Sequence, residues 1–140
     1  MQVTANDLLK FSKGNAKLKG IPSLSLPAGH ACPFADKCFA KVDYTTGKIV
    51  DGPDTEFRCF SATQENIFPA TRAQRKHNFD LLRKLKTKEE MASLITLSLP
   101  GTNYRAIRIH VAGDFFNQTY FDAWMLVAQQ NPDQIYYAYT

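Results

Sequence analysis

In AIRIHVAGDFFNQTYFDAWMLVAQQNPDQIYYAY, residues Ala106–Tyr139, a two-residue hydrophobic period gives way to a helical one and then returns. Ile107, Ile109 and Val111 alternate with Arg108 and His110, so Ala106–Ala112 is predicted to be a strand with an apolar face, ended by Gly113-Asp114. Asn117 or Thr119 can cap the helix that follows, in which Phe121, Trp124, Met125 and Ala128 share a face. Asn131-Pro132-Asp133 closes it, and Ile135–Tyr139 is the next strand. A strand, helix, strand sequence normally yields two parallel strands joined by a crossover.

Upstream of this unit the chain is mostly helical. Thr87 with Glu90 forms a capping box that opens a helix through Met91, Leu94, Ile95 and Leu97, stopped by Pro100-Gly101. Before it, Pro69 suits the first turn of a longer helix to about Lys86, with Ala70, Ala73, His77, Leu81 and Leu85 as its expected buried face. Ser61 with Gln64 reads as the capping box of a short helix ahead of that one. Val42–Asp51 is expected to be a hairpin about Thr46-Gly47, Ile21–Leu26 a first core strand, and Asn6-Asp7 the cap of a small helix carrying Leu8, Leu9 and Phe11, which Gly14 would stop. The order implies one α/β domain over residues 1–140 with a short parallel sheet. In such sheets ligands gather at the carboxyl ends of strands, here the loops after Leu26 and Val111.

At 140 residues, 44% of them hydrophobic and 21% charged, the chain can bury a core without disulfide staples. No apolar run approaches the roughly 20 residues of a membrane span, and the polar start is unlike a signal peptide, so no membrane partner and a cytoplasmic location are expected. The net charge of +4 permits nucleic-acid binding without requiring it. Its strongest concentration is on the long helix, where Arg72, Arg75 and Lys76 are candidate contacts for nucleic acid or a host protein, weighed against a plain solvated face.

The reactive side chains concentrate elsewhere. SLSLPAGHACPFADKCFAK, Ser23–Lys41, holds Cys32, Cys38 and His30, and the third cysteine, Cys59, lies in FRCFS. An odd number of cysteines without a secretory signal argues against a disulfide framework. Three thiolates suit a four-iron iron–sulfur cluster or tetrahedral zinc, in either case with one position left open. His30 can fill that position to make a closed Cys3His zinc site, and three cysteines that never meet are the plain alternative. Asp114, at a strand end, can bind an amine or hydroxyl of a ligand or simply cap its turn, and with His110 it gains interest if the cysteine loop lies adjacent.

The stretches FSKGNAKL, SLSLPAGHACPFADKCFAK, GKIVDGPDTEFRCFSA, HNFDLL, RIHVAGDFFNQTYFDAW and IYYAYT resemble the phage family named for gene product eighty-eight, which implies a protein working in the host cytoplasm during infection. The order of loops is also distantly similar to radical S-adenosylmethionine enzymes. That similarity implies a partial (β/α) barrel with Cys32, Cys38 and Cys59 on a 4Fe-4S cluster, and Gly113, Asp114 and His110 on the S-adenosylmethionine side. Cys59 lies far downstream of the other two, Asp114 stands where those enzymes carry glutamate, and Phe115 where they carry proline. A six-stranded barrel does not fit this length, so the resemblance implies a truncated form or a sheet completed in a homo-oligomer.

Overall fold

A computed structural model describes residues 4–13, 20–35, 38–53, 59–101 and 104–139. In chain order a 3-10 turn, Ala5–Asp7, precedes β1 (Ser23–Leu24), β2 (Lys41–Val42), β3 (Ile49–Val50), α1 (Phe60–Ile67) and α2 (Pro69–Arg83). There follow α3 (Lys88–Ser98), β4 (Ile107–Ile109), α4 (Gln118–Gln130) and β5 (Tyr136–Ala138). β1, β4 and β5 form a parallel sheet in that order, with Leu24 opposite Ile109 and Ile109 opposite Ala138. β2 and β3 pair as the expected hairpin, whose turn is held by the Asp43 carboxylate accepting from the Thr45 and Thr46 amides. The result is a mixed α/β fold with four α-helices among the described residues and no closed barrel.

The unit read in Ala106–Tyr139 is present, since α4 carries the chain from β4 to a parallel β5. Asn117 caps α4 by accepting from the Tyr120 amide at 2.8 Å, and Thr87 caps α3 by accepting from the Glu90 amide at 3.1 Å. Such caps satisfy amides that the first helical turn leaves without partners. Leu24, Leu26, Leu82, Met91, Ile95, Ile107, Tyr120 and Val127 are fully enclosed in one core between the sheet and helices α2, α3 and α4.

Upstream of α4, four local expectations change. The segment after Asn6-Asp7 forms no helix; one 3-10 turn is closed by reciprocal bonds between Thr4 and Asp7, and Leu9 is then tied down through its amide to Ser98 Oγ. Gly14 lies outside the described residues. In α1 the N-cap is Cys59, not Ser61. In α2 the fully buried positions are Arg75, Asn78 and Leu82; of the expected face, Leu81 and Leu85 pack against the core, while Ala70 and Ala73 are exposed. Hydrogen bonding explains the rotation. Asn78 accepts from the Lys10 amide and donates to the carbonyls of Lys10 and Ser25, so the amide enters the interior with its partners already in place. Finally, the strand alternation stops at Ile109. His110 takes φ +71°, the one non-glycine residue with positive φ among those described, which turns its ring inward and leaves Val111 39% exposed.

Candidate functional site at the carboxyl ends of β1 and β4

The loops leaving β1 and β4 are zipped together. The Leu26 amide donates to the Ala112 carbonyl at 2.9 Å, and the His110 amide to the Leu24 carbonyl at 2.9 Å. Gly113, at φ +80°, lets the backbones touch, because a Cβ there would stand 2.6 Å from Leu26 Cβ and 2.8 Å from its carbonyl oxygen. Gly113→Ala therefore combines a left-handed backbone cost of about 1–2 kcal/mol with a steric displacement of the two loops. A fall in the urea midpoint corresponding to at least that loss is expected, and an unchanged midpoint would mean that the loops are not in register as described.

The cysteine loop begins at this junction. Pro27 and Gly29 carbonyls accept from the amides of Ala31 and Cys32, coiling the chain into successive turns. Gly29, at φ +74°, lies so close to the returning strand that a Cβ would be 2.4 Å from the Ala40 carbonyl oxygen. The return brings Cys38 against Ala28, Ala40 and Ala62, and Cys59 packs on the same small-residue cluster from the start of α1. Cys32 completes the group. Burial pushes its thiol up to about 11, and the charges of Asp114, Cys59 and Cys38 add to the effect, opposed by a backbone hydrogen bond with Gly29. Thus Cys38 and Cys59 pack on one small-residue cluster, Cys32 lies within electrostatic reach of both and of Asp114, and all three cysteines are free.

They do not yet form a cage. Among the described residues no group of three or more His, Cys, Asp or Glu side chains is placed so that it could hold a metal ion as it stands.

The remaining expected residues divide. Asp114 Oδ1 accepts from the Phe115 amide at 2.8 Å, the turn-capping role, while its charge reaches Cys32 and Tyr120. His110 lies behind the site rather than in it: it is 3% exposed, its Nε2 is 2.8 Å from the Tyr120 hydroxyl, and Phe115 packs edge-on against its ring. Its buried Nδ1 has no hydrogen-bond partner among the described residues. His30 Nε2 donates to the Val42 carbonyl at 2.9 Å, and its ring stacks on Tyr44, leaving only Nδ1 with a lone pair.

The basic run on α2 faces inward more than expected. Arg75 is buried, with its guanidinium on Glu65, the Gln64 side chain and the Ser61 carbonyl. Arg72 donates to the Glu65 carbonyl at 2.9 Å, while Lys76 pairs with Asp80 and lies 5.3 Å above the Tyr44 ring. Acceptors on α1 hold Arg75 and Arg72, and Asp80 pairs with Lys76 and Arg83, whose side chains stay 41% and 57% exposed.

A protein-family profile described as Gene product 88 matches residues 4–140. The chain belongs to the gene product 88 family. Similar proteins include the Gene 88 proteins of Mycobacterium phages L5 and D29, each 29% identical over 136 residues that cover 91% of this chain and 50% of the relative. The chain thus spans about half the length of the curated relatives it matches. No solved structure matches.

In this gene product 88 chain the residue that draws Cys59 back to the first two cysteines is one that sequence reasoning missed. Glu65 of α1 is fully buried, and its Oε2 accepts from the Ala28 amide at 2.9 Å and from Arg75 Nη1 at 3.0 Å. Ala28 stands at the entrance of the cysteine loop and Cys59 caps the helix that carries Glu65, so this carboxylate joins the two cysteine-bearing segments. The available signal was weak: Glu65 follows Ala62 at helical spacing on an otherwise polar short helix.

Proposed function

We propose that this gene product 88 chain binds a metal centre, an iron–sulfur cluster in the first instance, through Cys32, Cys38 and Cys59. It would do so in a partial (β/α) barrel related in plan to radical S-adenosylmethionine enzymes, within the infected cell. The observation that carries the reading is the shared neighbourhood of the three thiols and Asp114 at the carboxyl ends of adjacent strands. Three thiolates leave one iron of a four-iron cluster open, and a cluster so bound supplies one-electron chemistry at that open position. The chain's own residues would hold it: Gly29 and Gly113 permit close backbone approach, the small side chains Ala28, Ala40 and Ala62 leave room, and Asp114 offers a carboxylate to a ligand amine.

No helix of the described residues is long and apolar enough to cross a membrane. Zinc on the same three thiolates, with His30 Nδ1 as the fourth donor, is the competing assignment. Because Arg72, Arg75 and Lys76 have internal partners, nucleic-acid binding is not built on them.

Elemental analysis of anaerobically prepared protein separates these assignments. Iron with sulfide in near-stoichiometric amounts is expected, with loss of most bound iron in Cys32→Ser, Cys38→Ser and Cys59→Ser. Zinc at one equivalent would transfer the site to the second reading, and folded protein with neither metal would remove both. A cluster whose electron paramagnetic spectrum ignores added S-adenosylmethionine would keep the metal site and exclude the radical-enzyme reading.

A further inference from the structure

Helix α4 carries two apolar stripes. Tyr120, Ala123, Trp124 and Val127 are buried against the sheet and α3, as a helix covering a βαβ unit requires. Phe121, Met125 and Ala128, spaced i, i+4 and i+7, form a second stripe on which Phe121 is 40% and Met125 48% exposed. With Trp124, Tyr136, Tyr137 and Ala138 it lines a groove of about 370 Å³ between α4 and β5. A helix needs one stripe for the sheet. A second one is the signature of another helix beside it.

On the same side β5 forms an edge of the sheet among the described residues. At its other edge β1 is capped by Ser12, whose amide and carbonyl exchange hydrogen bonds of 2.8 and 2.9 Å with Ser23. β5 has only β4 as a strand neighbour among the described residues. Residues 134–139, QIYYAY, contain no charge or proline to discourage further pairing, and Ile135 and Tyr139 are 63% and 72% exposed. All-parallel sheets are ordinarily covered on both faces and extend strand by strand, with a helix for each.

We infer that the β5 edge and the second stripe of α4 are the seat of a further strand and helix, the strand pairing parallel to β5 and an apolar helix face filling the groove. The length of the relatives points to the source. The Gene 88 protein relatives are about twice the matched length, so their other half is large enough to supply such a unit. This inference is independent of the thiolate site.

The test uses the whole Gene 88 protein of Mycobacterium phage L5, with a photo-cross-linking phenylalanine derivative at the position aligned with Met125. Irradiation is expected to give an intramolecular link whose peptide masses place the partner outside the half matched by this chain. A link within the matched half, a link between two copies, or no link would overturn the inference. Sedimentation of the 140-residue chain gives a second arm: a monomer is expected, whereas a dimer that F121E/M125E dissociates would assign the face to a second copy and overturn it as well.

Discussion

Arg75→Ala is expected to lower the unfolding free energy by about 3–5 kcal/mol, read from urea denaturation at pH 7. The size follows from what the substitution leaves behind. Glu65 is completely buried, and without the guanidinium its carboxylate keeps, among the described residues, only the Ala28 amide as donor. Burial already raises the Glu65 carboxyl above its ordinary range, with the Ala28 amide and Arg75 opposing that rise. Removing Arg75 strengthens the rise, so the unfolded state becomes the better place for the charge. The loss should shrink as pH falls and Glu65 takes up a proton. Adding Glu65→Gln to Arg75→Ala should recover a large part of it, since a neutral amide has no charge to desolvate. Equal losses in the single and double variants would mean that Arg75 acts through packing alone. Because Glu65 also holds Ala28, the single variant should loosen the cysteine loop before the core melts, visible as faster hydrogen exchange at the amides of Ala28 and Ala31.

Acidification should destabilise the protein through His110 by about 1.4 kcal/mol per pH unit between the ordinary imidazole pKa and the folded one. Burial lowers the His110 pKa from 6.5 to about 3, because the enclosed ring cannot be charged without losing water. The folded state therefore holds a neutral ring that the unfolded state protonates, and the stability it contributes is complete above about pH 6.5 and declines down to about pH 3. Across that window the neutral ring makes folding progressively less favourable as pH falls. Glu65 pulls the other way, since a raised carboxyl pKa favours the folded state as pH falls, while Asp7, held low by Thr4, adds to acid loss below its ordinary value of 3.8. His110→Asn isolates the histidine. Asparagine tolerates the left-handed backbone at this position, so the variant should lose some packing at every pH but show a pH slope smaller by about one proton between pH 6 and 4. A slope identical to that of the parent would show that His110 is not the group titrating.

Periodicity and turn chemistry act over a few residues, so they were legible where the environment is simple. The βαβ unit, the Asn117 and Thr87 caps and the hairpin about Gly47 could all be read from side chains interacting with their own backbone or with the nearest turn. The faces of α2 and α4 were misread for opposite reasons. α2 buries Arg75 and Asn78 because distant acceptors in α1 and near Lys10 await them, and hydrophobic spacing contains no record of those partners. α4 has apolar residues to spare, and spacing alone cannot say which stripe meets the sheet.

The candidate site shows the same division. From the sequence alone it follows that soft ligands sit after a first strand and an acidic turn after a second, because residue type and strand-end position are local properties. Whether Cys59 returns to Cys32 and Cys38 was decided by contacts across the chain: the parallel pairing of β1 with β4, the close backbone passage at Gly113, and the Glu65 carboxylate bridging Ala28 and Arg75. A buried ion pair and a glycine crossing depend on two segments meeting in space, and neither leaves a period in the sequence to reveal it.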